Sequence, residues 1–130
     1  MRDITTKFGD NAGKIWRTLS EQGCLDKKKI LKSVQLKDDE FYSAIGWLAK
    51  ENKVSKQDKD CYKLDNTNLE SEIGTHAGRV WKILDIWGES DFVTIRRLSD
   101  LNDDQVHSAL GWLARENKIE VDGKQRYTLK

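Results

Sequence analysis

The 130-residue chain has no proline, one methionine, two cysteines and two histidines. Without proline there is no stiff polyproline segment and no proline-made helix stop, so helix ends must be set by glycines and polar caps. Cys24 and Cys61 form no Cys-x-x-Cys pair and no Cys/His cluster. Zinc-type spacing is therefore excluded, and no metal site is expected. Free thiols in a reducing compartment are the expected state of both cysteines. No apolar run approaches the roughly 20 residues that a membrane helix needs. The start, Met1-Arg2-Asp3-Ile4, does not read as a secretory signal. A soluble, cytoplasmic protein without a membrane partner is expected. Glycine-rich phosphate loops are absent, and His76 and His107 have no nucleophile in motif context. The reading is therefore no enzyme, no cofactor and no small-molecule substrate.

Charge of one sign is also lacking: 35% of residues are charged, yet the net charge is +1. The balance hides a division. Residues 1–65 carry 14 basic and 11 acidic side chains (+3), and residues 66–130 carry 9 and 11 (−2).

What the chain does contain is one sequence written twice. Ala44-Ile45-Gly46-Trp47-Leu48-Ala49-Lys50-Glu51-Asn52-Lys53 returns as Ala109-Leu110-Gly111-Trp112-Leu113-Ala114-Arg115-Glu116-Asn117-Lys118. Gly9…Ala12-Gly13-Lys14-Ile15-Trp16 returns as Gly74…Ala77-Gly78-Arg79-Val80-Trp81. The offset is 65 throughout, and residues 9–65 share 23 identities in 57 positions with 74–130. Two tandem domains, 1–65 and 66–130, follow, each near the lower size limit for a self-sufficient core.

Within a copy, Ala12, Ile15, Trp16 and Leu19 follow the spacing of a buried helical stripe, repeated as Ala77, Val80, Trp81 and Leu84. This predicts a first helix over about 11–22, with a turn upstream from the pairs Ile4/Phe8 and Leu69/Ile73. Gly23 and Gly88 are its expected stops. A short second helix is predicted over about 27–34 and 94–99, anchored by Ile30 and Ile95 and capped by Asp26 or Thr94. Phe92-Val93 reads as a short strand before it in the second copy. The third helix is predicted over 38–52 and 103–117. Its buried stripe is Phe41, Ala44, Ile45 and Leu48, or Val106, Ala109, Leu110 and Leu113, and Asn102 with Gln105 suggests a capping box. A hairpin closes each copy, with Asp122-Gly123 as a two-residue turn signal in the second. The link between the domains reads as short and partly ordered, with Asp65-Asn66-Thr67-Asn68 its most flexible part.

Helix, helix, turn, helix, hairpin is the order of a winged helix-turn-helix domain. The predicted class is α+β, mainly α: two such domains, each of three helices and a C-terminal β-hairpin wing. The Ala-Gly-Lys-Ile-Trp run at 12–16 and the Gly-Trp-Leu-Ala helix at 44–51 resemble a small bacterial and archaeal winged-helix family. That family is mostly catalogued as a domain of unknown function, and its usual member is a single domain. The resemblance covers both halves; it implies the fold, and double-stranded DNA as a partner by analogy.

The face of the third helix opposite its stripe would then enter the major groove, presenting Tyr42, Ser43, Gly46 and Lys50, or His107, Ser108, Gly111 and Arg115. Asp38-Asp39-Glu40 and Asp103-Asp104 at its N-terminus suit the helix dipole but oppose phosphate. Phosphate contacts are expected from Lys27, Lys28, Lys29 and Lys32 on the second helix, and from Lys56, Lys59 and Lys63 on the wing. Their counterparts in the second copy are Arg96, Arg97, Lys124 and Arg126. Trp16 and Trp81 read as core, and Trp47 and Trp112 as packing against the wing. Ile83, Ile86 and Trp87 stand where the first copy has Thr18, Glu21 and Gln22. They predict an added apolar stripe that needs a cover: the other domain, a homodimer mate or a protein partner. Two functions follow as expectations: a DNA-binding regulator or chromosome-associated factor, or a protein-interaction adaptor without DNA binding.

Overall fold

A computed structural model describes residues 4–130; the reading of Met1–Asp3 falls outside them. The first domain runs α1 (Ile4–Gln22), β1 (Leu25–Asp26), α2 (Lys27–Val34), α3 (Asp38–Lys50), β2 (Val54–Gln57) and β3 (Cys61–Leu64). The second runs α4 (Glu70–Trp87), β4 (Ser90–Asp91), α5 (Phe92–Ser99), α6 (Asp103–Arg115), β5 (Ile119–Val121) and β6 (Arg126–Leu129). Together they form two tandem, mainly helical winged-helix domains.

The buried stripes form the core as spaced: Ile15, Ile30, Phe41 and Leu48 in one domain, and Val80, Ile95, Leu110 and Leu113 in the other, are fully enclosed. Gly23 and Gly88 end α1 and α4 at φ +82° and +76°, a left-handed geometry without side-chain cost only for glycine. The Asn102/Gln105 capping box is closed by two reciprocal bonds of 2.9 and 3.0 Å. Asn52 and Asn117 take φ 61° and 59° just after α3 and α6, so the repeated Glu-Asn-Lys marks a left-handed exit that asparagine tolerates.

Several expectations change. Trp16 and Trp81 are 43% and 37% exposed and are not core residues. Phe92-Val93 begins α5; the strand is Ser90–Asp91, and Asp91, not Thr94, caps the helix by accepting from the Thr94 N–H at 2.9 Å. Those two strand residues, and Leu25–Asp26 in the first domain, add a third antiparallel strand to each wing, in the orders β1-β3-β2 and β4-β6-β5. The second hairpin turns through Asp122–Gln125 rather than a two-residue Asp-Gly turn. The Asp122 carboxylate accepts from the Lys124 and Arg126 N–H groups, and Gln125 takes φ 62°.

Cys24 and Cys61 are not free: they are joined in a disulfide, with Cα atoms 5.6 Å apart. They therefore give no argument for a reducing compartment. The β1–β3 pairing, Asp26 opposite Cys61, brings the two together. The 65–68 link is tied down as well. Asn68 donates to the Lys56 carbonyl and accepts from its N–H, at 2.7 and 2.9 Å, so it occupies the open edge of β2. The Thr67 N–H donates to Asn52 at 2.8 Å.

Candidate functional site

The third helices, α3 and α6, pack against each other through the face that the helix-turn-helix reading assigned to DNA. The crossing point is Gly46 against Gly111. A Cβ on Gly46 would lie 1.9 Å from the Ser108 carbonyl oxygen, and one on Gly111 would lie 1.8 Å from that of Ser43. Backbone meets backbone here, so only glycine fits at either position. Ser43 and Ser108 are 2% and 7% exposed and cannot reach a base edge in this arrangement.

The cations at the ends of these helices are also engaged across the domain boundary. The Arg115 guanidinium lies 3.0 Å from the Glu51 carboxylate and 5.6 Å from the centre of the Trp47 ring. In mirror fashion, Lys50 lies 3.8 Å from Glu116 and 5.2 Å from the Trp112 ring centre. Lys50 and Arg115 are thus interface residues, held by a carboxylate and an aromatic face. The contacts of Trp47 and Trp112 also differ from expectation: their rings lie over Gly9 of α1 and Gly74 of α4 rather than against the wing.

Tyr42 and His107 occupy equivalent, half-buried positions with different chemistry. Lys27 reaches Tyr42 Oη at 3.4 Å and Asp38 at 3.2 Å. Burial depresses the Lys27 pKa, but these two hydrogen bonds together with the charges of Tyr42 and Asp38 outweigh it and the net shift is upward. In the second domain the equivalent pair is apolar: His107 stacks on Phe92, with ring centres 4.3 Å apart. Burial lowers the His107 pKa below its ordinary value, against the opposing pull of Asp39, Asp103 and Asp104. Neither Tyr42 nor His107 is an open groove-reading residue.

The remaining cations divide into open and paired ones. Lys28, Lys29, Lys32 and Lys59 are exposed and have no ion pair among the described residues. The Asp26–Cys61 register places the wing turn with Lys59 at the same end of the domain as the start of α2. Lys56 is paired with Asp60 at 3.3 Å, and Lys63 with Asp65 at 3.5 Å. In the second domain Arg96 is paired with Asp103 at 3.3 Å, and Arg126 lies 3.0 Å from Glu89 and 3.3 Å from Asp122. Arg97 and Lys124 are exposed. Of the expected apolar stripe, Ile83 is buried, while Ile86 and Trp87 are 70% and 66% exposed.

Sequence reasoning missed one groove that the repeat builds twice. Gly9, Ala12, Gly13, Trp16, Trp47, Leu48, Glu51 and Lys53 line the first, about 400 Å³ in volume. All eight recur in the second, about 270 Å³: Gly74, Ala77, Gly78, Trp81, Trp112, Leu113, Glu116 and Lys118. The signal was available, because complete identity here exceeds the partial identity of the two copies as a whole. A polar cleft of about 240 Å³ also lies between the domains, with Tyr42, Tyr62, Glu72, His76 and Asp104 among its walls. Among the described residues no cluster of His, Cys, Asp or Glu is arranged to hold a metal ion, and no helix is long and apolar enough to cross a membrane.

Three helices, a three-stranded wing and the Gly-Trp-Leu-Ala third helix, present twice, define a pair of winged helix-turn-helix domains. The chain belongs to the winged helix-turn-helix domain family (DUF2582), whose profile matches it twice, over residues 1–64 and 68–129. No curated protein and no solved structure gives a significant match.

Proposed function

We propose that the chain is a non-enzymatic protein-interaction module of regulatory type, two winged-helix domains divided near residue 65, whose helix-turn-helix units are turned inward and do not read bases. The burial of Ser43 and Gly46 against Ser108 and Gly111 carries this reading. A major-groove reader must present the middle or N-terminus of its third helix to the duplex. Here the middles are buried in each other, and the N-termini carry Asp38, Asp39, Glu40, Asp103 and Asp104. The exposed Ile86 and Trp87 supply the kind of surface that binds protein.

One observation favours a second reading. Lys28, Lys29, Lys32 and Lys59 are open and unpaired among the described residues, as contacts to a duplex backbone would be. Fluorescence anisotropy with duplex DNA, from about 50 to 200 mM salt, separates the two. The interaction-module reading expects no saturable binding even at the low-salt end. Tight binding that falls steeply with salt, and is lost in a Lys28→Glu/Lys29→Glu/Lys32→Glu variant, would hand the function to the second reading.

A further inference from the structure

Two features of the surface are each incomplete and complement one another. The first is the exposed Ile86-Trp87 tip of α4. It is peculiar to the second domain, since the equivalent residues in the first are Glu21 and Gln22. Its neighbours in sequence are Asp85, Glu89, which is paired with Arg126 at 3.0 Å, and Asp91, which caps α5. The second is the groove of the first domain, walled by Trp16 and Trp47 and open above Gly13, where a Cβ would meet nothing within 4 Å. Glu51 in this groove is already engaged by Arg115. Lys53 is paired with the same carboxylate at 3.6 Å, and Arg17 stands next to Trp16 on α1.

We infer that Trp87 of one copy of this chain docks in the first-domain groove of a second copy, giving a head-to-tail self-association. The indole is a rigid anchor with few torsions to freeze, and the groove offers two aromatic walls to receive it. The net charges agree at the scale of whole domains, where a half of charge −2 meets a half of charge +3. A chain does not fill its own second groove with this residue. Trp81 and Trp87 are six positions apart on α4, about 9 Å along the axis and about 240° around it. The second groove has the same lining but belongs to the half of charge −2, so the first, in the half of charge +3, is the better receptor. Each chain carries one anchor and one preferred groove, so two copies close reciprocally into a dimer or continue as a chain.

The inference rests on the protein-interaction reading in that it names a partner for the Ile86–Trp87 face. Sedimentation velocity on the full chain tests it. The expected wild-type behaviour is a mass that rises with concentration, with a dissociation constant on the order of tens of micromolar for so small a contact. Association should weaken about tenfold between roughly 50 and 500 mM salt. Trp87→Asp and Gly13→Gln alter exposed positions and should each stay monomeric with an unchanged circular dichroism spectrum. Mixed, the two variants should form a 1:1 complex, because one retains the groove and the other the anchor. A wild-type chain that stays monomeric to several hundred micromolar, or a Gly78→Gln variant that dissociates while Gly13→Gln does not, would overturn the inference. A monomeric chain that also ignores duplex DNA would overturn it and leave the protein-interaction reading standing.

Discussion

Replacing Gly46 with alanine sets two opposing effects against each other at one atom. In an exposed helix interior the change stabilises by about 1 kcal/mol, because glycine leaves more backbone freedom to lose on folding. Here the added Cβ would lie 1.9 Å from the Ser108 carbonyl oxygen, whereas real contacts essentially never fall below 3.0 Å. The α3–α6 pair must therefore part by about 1.1 Å, the difference between those two distances. A gap of that size forfeits a quarter to a half of each dispersion contact it opens. Overpacking of this kind costs roughly 1–3 kcal/mol, towards the upper end here because the obstacle is backbone and no rotamer can move it aside. The expected net effect is a loss of about 2 kcal/mol, visible in urea as a midpoint lowered by roughly 1 M. Trp47 and Trp112, at the domain boundary, serve as fluorescence reporters. Gly13→Ala is the control: its Cβ meets nothing within 4 Å, so it should gain up to about 1 kcal/mol. Gly46→Ala combined with Gly111→Ala should cost less than the sum of the two, since helices already parted by one clash are spared part of the second. A Gly46→Ala chain as stable as the wild type, or more so, would refute the claim that the domains are locked by this crossing.

Two further outcomes follow from the fold. The Cys24–Cys61 bond spans 37 residues of sequence, so reduction or Cys61→Ser should lower stability by up to about 4 kcal/mol on chain-entropy grounds. An unshifted urea midpoint after complete reduction, confirmed by alkylation of both thiols, would show that the wing holds α2 without it. The third outcome concerns pH. The folded-state pKa of His107 is lowered, so the unfolded chain binds the proton more readily. Its contribution to stability is full above the unfolded value near 6.5 and is lost as pH falls through that value towards the lower folded pKa. Thermal midpoints between pH 7.5 and 5 should therefore fall in the wild type and fall less in His107→Gln. Equal slopes would remove His107 from the account.

The legible part of this protein was its local chemistry. The stripe through Phe41, Ala44, Ile45 and Leu48, the capping box at Asn102, and the stops at Gly23 and Gly88 depend on residues within one or two turns of each other, and each stands where spacing placed it. The open face of α3 was misjudged because periodicity distinguishes the stripe facing its own core from the rest, but not a solvated face from one covered by another domain. Even so, the signal was present. Gly46 and Gly111 sit in helix interiors in both copies at about 1 kcal/mol each, and a repeated cost of that kind marks a close approach. The approach is real, and the other helix makes it.

The duplication, the order of the helices and closing hairpins, and most of the two cores were legible in the chain alone, because those follow from the periods of 3.6 and 2 and from capping chemistry that acts over a few residues. Long-range packing set the rest: the third helices face each other, Cys24 meets Cys61, Lys50 and Arg115 are taken up by Glu116 and Glu51, and two tryptophan-walled grooves stay open. Each of these joins residues between 31 and 66 positions apart. Their meeting depends on how completed elements pack, a property that no window of sequence contains.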